Sequence, residues 1–167
     1  MIETKRLTIK PLDFGQLQKY LNNDNSLEQE LCVGKSNRLI SSELKEALEL
    51  AILPLVSENR DDYLFFTLWT IILKSENRMV GDLCFKGLPD NNGNVEIGYG
   101  TYENFRGKGY MTEAVGGMIA WTETHPKVKS IIAETDKTNL ASMVILQKNG
   151  FVKSGESDDF FHWKLQL

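Results

Sequence analysis

The stretch from Glu96 to Ala114, EIGYGTYENFRGKGYMTEA, holds the residues whose types and spacing carry the clearest chemistry. An apolar, aromatic and small-residue run through Thr101 suits a buried strand, Gly107 and Gly109 interrupt it, and helical periodicity begins directly afterwards. Glycine admits backbone conformations closed to other residues and lets a ligand approach the main chain. The unpaired N–H groups at a helix start point at an anion. Arg106 and Lys108 add positive charge at the same turn. Strand, glycine turn and helix in this order form a candidate phosphate-binding site.

The helix after the turn repeats Met111, Ala114, Val115, Met118, Ile119 and Thr122 at the spacing that lays one stripe against a sheet. Gly116 and Gly117 inside it each cost about 1 kcal/mol relative to alanine, which implies close approach of a neighbour. Upstream, Thr4 to Lys10 alternates as a strand ended by Pro11, and Asp13 caps a helix bearing Phe14, Leu17, Tyr20 and Leu21. Ser41 or Ser42 starts a longer helix with Leu44, Ala47, Leu48, Ala51, Ile52 and Leu55 on its apolar face, and Pro54 blurs its far end. These early helices either wall a substrate site or only cover one sheet face.

Tyr63 to Leu73 and Arg78 to Phe85 read as a hairpin, and a polar turn from Asp90 to Asn94 leads into Val95, giving a three-stranded antiparallel meander. Ser130 to Glu134 is a further strand. Thr138 or Asn139 opens a helix with Leu140, Met143, Val144 and Leu146 as its apolar members, and Gly150 stops it. Phe151 and Val152 begin a strand that turns at Gly155 to Asp159. It pairs with Phe160 to Leu167, whose exposed edge would be free to meet another copy.

The 167 residues match one domain, 1–167, with no repeat, low-complexity tract or linker. With 41% hydrophobic and 25% charged residues, the composition is that of an ordinary soluble globular protein. A net charge of -4 argues against broad attraction to nucleic acid and mildly favours a cationic substrate. No apolar run approaches the roughly 20 residues that cross a bilayer, and the start MIETKRLTIK has no signal core, so the expected compartment is the cytoplasm. Cys32 and Cys84, far apart and without a histidine cluster, favour neither a zinc site nor a disulfide framework.

The order of elements, with RGKGYMTEA after the fourth strand and NLASMVILQKNGF after the fifth, resembles the GNAT superfamily of acetyl-CoA-dependent N-acetyltransferases. Within it the chain is most similar to the ribosomal-protein N-terminal acetyltransferase-like branch. The opening TKRLTIKPL and the EIGY strand extend the likeness over nearly the whole chain. The resemblance implies an α/β (α+β) fold, with a mixed, mostly antiparallel sheet of about six to seven strands and helices on both faces.

It also implies site residues. Arg106, Gly107, Lys108, Gly109, Tyr110 and Met111 occupy the family's R/Q-x-x-G-x-G/A motif, whose amides bind the coenzyme pyrophosphate. Met111 departs from the usual small final residue and must turn its side chain toward the apolar stripe. Thr101 and Tyr102 would place main-chain groups along the pantetheine arm. Asn139 and Ser142 match the family's N-x-x-S, with Ser142 near the departing sulfur; either also reads as a helix cap or an exposed helix position. Lys148 lies near a coenzyme phosphate or in solvent.

Acetyl transfer needs a docked coenzyme, a neutral amine, stabilisation of the oxyanion and a proton for the thiolate. An α-amine, with a reference pKa of about 7.7–8.0 against about 10.4 for lysine, loses its proton more readily. Glu96, facing the cleft in the implied fold, is the base candidate through water. The same residue also reads as an exposed strand carboxylate or a partner for a cation. Backbone N–H groups near Tyr99 to Thr101 are candidates for the oxyanion site. His125 and His162 have no positioned partner and take no catalytic role.

The reading is direct transfer to a primary amine, with no metal and no covalent enzyme intermediate. The acceptor is a protein N-terminus, a polyamine, an amino acid or an amine antibiotic, and the protein a monomer or homodimer. The competing reading is an acyl-CoA-binding sensor or interaction module on the same fold. RGKGYMT lacks the full P-loop spacing.

Overall fold

A computed structural model describes residues 1–167. Its single sheet joins β1 (Ile2–Glu3), β2 (Leu7–Pro11), β3 (Leu68–Leu73), β4 (Arg78–Phe85), β5 (Asn94–Thr101), β6 (Ser130–Asp136), β7 (Val152–Glu156) and β8 (Phe160–Gln166). The spatial order is β1-β2-β3-β4-β5-β6-β8-β7, and every pairing except β5 with β6 is antiparallel. The 8 strands exceed the expected six to seven because Ile2–Glu3, ahead of the expected first strand, pairs as a strand of its own. Thr4 Oγ1 and the main chain of Leu7 bond each other, closing a turn that folds Ile2 back onto Ile9.

Two other boundaries differ from expectation. The strand expected from Tyr63 starts at Leu68, since Tyr63–Phe65 forms a 3₁₀ turn held by the Trp69 indole N–H on the Leu64 carbonyl at 3.0 Å. The final strand β8 is not an exposed edge. It lies between β6 and β7, so β7 forms the sheet's far edge.

Helix α1 (Phe14–Asn22) starts with a reciprocal capping box, in which Asp13 accepts from the Gln16 N–H and Gln16 accepts from the Asp13 N–H. A short α2 (Ser26–Glu30), unforeseen in the sequence, follows. Ser41 caps α3 (Ser42–Ala47), which passes through a π-type turn, Leu48–Ile52, into α4 (Leu53–Glu58). A wider turn lets the helix pass Pro54, which has no N–H, and its extra residue rotates the buried face. Leu48 and Val56 are therefore buried, while Ala47 and Ala51 are exposed.

The two sheet faces are filled unequally. Helices α5 (Tyr110–Glu123) and α6 (Leu140–Lys148) contribute to a cluster of 21 buried apolar residues, against 9 on the face covered by α1 to α4. Helix α5 approaches the sheet so closely that a Cβ on Gly117 would lie 3.0 Å from Thr4 Cγ2 and 3.1 Å from Ile9 Cδ1. The thinner face keeps the larger cavity. No helix is long and apolar enough to cross a membrane.

What positions the site is a fork in the sheet. The parallel pairing of β5 with β6 covers only Asn94 to Glu96 against Ser130 to Ile132. Beyond it β5 runs on to Thr101, while β6 pairs with β8 as far as Asp136. The β6-facing edge of β5 past Glu96 is left without a strand partner.

Candidate active site

At the open end of the fork, the turn expected to bind phosphate has the required conformation. Gly107 and Gly109 sit at φ 73° and 75°, in the left-handed region that favours glycine, and a Cβ at Gly107 would meet nothing within 4 Å. The N–H groups of residues 107 to 112 have no hydrogen-bond acceptor. Arg106 is exposed with its Nε on the Thr101 carbonyl at 3.3 Å, and the Lys108 ammonium lies 5.3 Å from the centre of the Phe105 ring. Met111 turns inward as its size requires, 3% exposed and packed beneath Gly81.

The outer side of this turn is clamped by Arg6. Its Nη1 and Nη2 donate to the carbonyls of Lys108 and Gly109 at 3.1 and 3.2 Å, and its Nε donates to Glu113 Oε2 at 2.6 Å. Burial pushes the Glu113 carboxyl up, but hydrogen bonds from Thr4 and Arg6 bring it below the usual range, so it stays ionised beside the guanidinium. With the carbonyls engaged behind, the amides are free to face the ligand side.

A groove of about 390 Å³ runs from Gly107, Gly109 and Tyr110 past Leu140, Val144 and Lys148. Leu140 and Val144, expected in the core, are 69% and 45% exposed and wall this groove, while Leu146 alone of α6 is fully buried. Asn139 caps α6, its Oδ1 accepting from the Ser142 N–H at 3.1 Å. The Tyr99 hydroxyl crosses from β5 and donates to the Ser142 carbonyl at 3.2 Å, which ties α6 to the strand beyond the fork. Burial lifts Tyr99 to about 12, so it keeps its proton.

The larger cavity, about 790 Å³, lies on the α1 to α4 side. Its floor includes Gly98 and Gly100, and a Cβ at Gly100 would meet nothing within 4 Å. Asp82, opposite Gly100 across β4 and β5, lines it. Asp82 Oδ2 accepts from the hydroxyls of Tyr20 and Tyr102 at 2.7 and 2.8 Å, Oδ1 has no partner, and the residue is 6% exposed. Burial raises the Asp82 carboxyl to about 6 against the pull of the two tyrosine hydroxyls, of Arg38 and of the Thr70 hydroxyl on the neighbouring strand.

Thr101 and Phe105 border both cavities, so the groove beside the glycine turn and the deeper cavity meet at the end of β5. The fold thus gathers Thr101, Arg106, Gly107, Gly109, Tyr110 and Met111 along these two cavities, while Lys108 of the turn and Asn139 and Ser142 at the start of α6 line neither. Tyr102 differs from expectation. Its N–H donates to the Val80 carbonyl and its own carbonyl accepts from the Phe105 N–H, both at 2.9 Å, so its main chain is engaged internally and its hydroxyl is what reaches the cavity floor. Glu96 sits at the closed end of the fork, ion-paired to Lys86, and is not among the residues lining the larger cavity.

Sequence reasoning missed Arg6, Tyr20 and Asp82 as site residues. Arg6 lies within the quoted TKRLTIKPL, and Tyr20 was read only as an apolar helix position. An aspartate inside the otherwise uncharged run MVGDLCF is the signal that would have found Asp82. Cys84, on the cavity wall, is held protonated by burial, which raises its thiol to about 11, and Cys32 is exposed.

Known proteins share this fold. The N-acetyltransferase YjdG of Bacillus subtilis (strain 168), itself uncharacterised, is 32% identical over 163 residues, 98% of this chain and 96% of its own. The ribosomal-protein-S5-alanine acetyltransferase of Vibrio fischeri superposes with a TM-score of 0.71 at 19% identity, covering 98% of this chain and 94% of that one. RimL, a ribosomal L7/L12 α-N-protein acetyltransferase solved with coenzyme A, gives 0.69 at 17% identity, covering 98% and 96%. The family model for the acetyltransferase (GNAT) domain matches residues 6–152. With so much of its length accounted for, the chain belongs to the GNAT acetyltransferase family, enzymes that move an acetyl group from acetyl-CoA to an amine.

Proposed function

We propose that acetyl-CoA lies along the fork, with its pyrophosphate on the turn, and that a primary amine reaches it from the α1 to α4 side. The observation that carries this reading is the run of unbonded amides from Gly107 to Thr112, set where two cavities share Thr101 and Phe105. A helix start with free N–H groups and two flanking cations suits a diphosphate. Arg106 and Lys108 supply those cations, Tyr110 and Met111 contribute amides, and Lys148 borders the same groove. Leu140 and Val144 offer apolar wall to an extended arm, and Thr101 main-chain groups adjoin it on the strand side.

When bound, acetyl-CoA supplies the acyl group as a thioester. Ser142 and Asn139 lie on the α6 side of the fork, and in this reading the Ser142 hydroxyl, which makes no hydrogen bond within the chain, returns a proton to sulfur directly or through water. Glu96 is the proton acceptor on the opposite sheet face, acting through water once Lys86 moves aside. Replacing Glu96 with glutamine is expected to lower turnover more than coenzyme affinity and to shift the pH profile; unchanged turnover across pH removes it from the mechanism.

Calorimetric titration with acetyl-CoA, compared with free CoA and ATP, tests the site itself. Selective micromolar binding, about -8 kcal/mol, is the expected result. A folded protein that binds none of them refutes the placement.

A further inference from the structure

We infer that Asp82, with the Tyr20 and Tyr102 hydroxyls, receives the acceptor's ammonium group, and that the acceptor carries negative charge at its outer end, as an amino acid or an acidic peptide N-terminus does and a polyamine does not. This rests on the acetyltransferase reading and names its substrate class.

Three observations converge on it. First, Asp82 is a nearly fully buried carboxylate that no cation contacts directly. Arg38, the one buried cation nearby, is committed elsewhere: it pairs with Glu28, donates to Ser36 and to the Tyr20 carbonyl, and lies 4.5 Å from the centre of the Tyr20 ring. A buried charge without its own counter-ion is costly to keep, and buried polar atoms without partners are rare in folded proteins. Oδ1 of Asp82 is such an atom, closed off from solvent with the Thr70 hydroxyl acting on the carboxyl from the neighbouring strand, so what the cavity offers an ammonium is the carboxylate's charge at its wall.

Second, the space above the acid is built open. Gly100 stands opposite Asp82, with empty room where a side chain would project, and Gly98 follows on the same face with only Cys84 and Lys86 near its missing Cβ. The two tyrosine hydroxyls orient Oδ2, so an ammonium entering here meets a carboxylate held in a fixed position. The position is two pleats from the fork, on the strand whose end both cavities share.

Third, the outer lining has the opposite sign. Lys35 and Arg78 are exposed on the cavity wall, and neither takes part in an ion pair. Arg106 adds a third cation at the junction with the coenzyme groove, against Glu103 alone. A polyamine with one ammonium on Asp82 would place its remaining charges among these cations, whereas an acceptor with a carboxylate outward would be drawn in. Like charges set against each other across an interface select against the wrong partner. The overall charge of -4 points the other way, but the charge lining the cavity is what a small acceptor meets.

The test measures CoA release from acetyl-CoA with three probes: spermidine, a tripeptide with a free N-terminus and two acidic side chains, and the same tripeptide with two basic side chains. The expected result is at least a tenfold lower KM for the acidic peptide than for either other probe. Asp82→Asn should raise that KM at least tenfold while calorimetry shows an unchanged acetyl-CoA affinity. Reversing the outer charge with Lys35→Glu and Arg78→Glu should invert the preference between the two peptides, and because both residues are exposed this variant carries the test if Asp82→Asn does not fold. Spermidine used as well as the acidic peptide, no preference between the peptides, or no turnover of any probe by protein that binds acetyl-CoA overturns the inference alone. Failure to bind acetyl-CoA overturns the proposed site and the inference with it.

Discussion

Replacing Asp82 with asparagine should change how stability depends on pH, and by an amount set by burial. The carboxyl rises from 3.8 to about 6 on folding, chiefly through desolvation, with the Tyr20 and Tyr102 hydroxyls and Arg38 acting in the opposite direction. Because the folded value lies above the unfolded one, this group favours the folded state fully below about pH 3.8 and loses that contribution as pH rises through about 6. At 1.36 kcal/mol per unit, the shift corresponds to about 3 kcal/mol between the two limits. Urea unfolding followed by tryptophan fluorescence, for the wild type and Asp82→Asn at several pH values from 4 to 8, isolates it, since the other carboxylates cancel in the difference. The wild type should lose about 2.4 kcal/mol relative to the variant across that range, since part of the change falls below pH 4, a midpoint shift of about 0.8–2.4 M urea. Any change in how asparagine holds the two tyrosine hydroxyls adds only a constant offset. A difference between the two proteins that stays flat with pH would refute the claim that Asp82 is held charged and uncompensated in the folded protein.

Other expected outcomes follow from the same geometry. Gly109→Glu, which places a side chain at φ 75° and negative charge beside the free amides, should abolish coenzyme binding in calorimetry while circular dichroism shows a folded protein. Arg6→Ala should weaken acetyl-CoA binding about fivefold, on the order of 1 kcal/mol, by releasing the Lys108 and Gly109 carbonyls, with little change in the KM for amine. Gly117→Ala gains about 1 kcal/mol of helix propensity but forces a Cβ against Thr4 and Ile9; with β2 fixed in the sheet, overpacking of about 1–3 kcal/mol should win and lower the thermal midpoint.

Local signals were read well where one segment decides its own conformation. Asp13 and Ser41 cap the helices they were expected to cap, the stripe of α5 is buried at Met111, Ala114, Val115, Met118 and Thr122, and Gly107 and Gly109 take the backbone angles their identity allows. The readings that missed depended on partners elsewhere. Leu140 and Val144 have the right periodicity for a core helix, yet they face a groove because Tyr99 holds α6 across the fork. Tyr102 lies beside the motif, but its role follows from Val80 and Asp82 on the neighbouring strand.

The chain by itself determined the strand, glycine turn and helix that present free amides to an anion, because glycine conformations, capping groups and apolar spacing act over a few residues. Tertiary structure alone brought Arg6 behind that turn, separated by 102 residues from the Lys108 carbonyl it holds, and Tyr20 onto Asp82 across 62 residues. Those contacts come from the packing of whole elements, in which the register of β2 beside β3 and the seating of α1 over β4 decide which polar groups meet. No periodicity within one segment carries that information, so the glycine turn was legible in the sequence and the cavity around Asp82 was not.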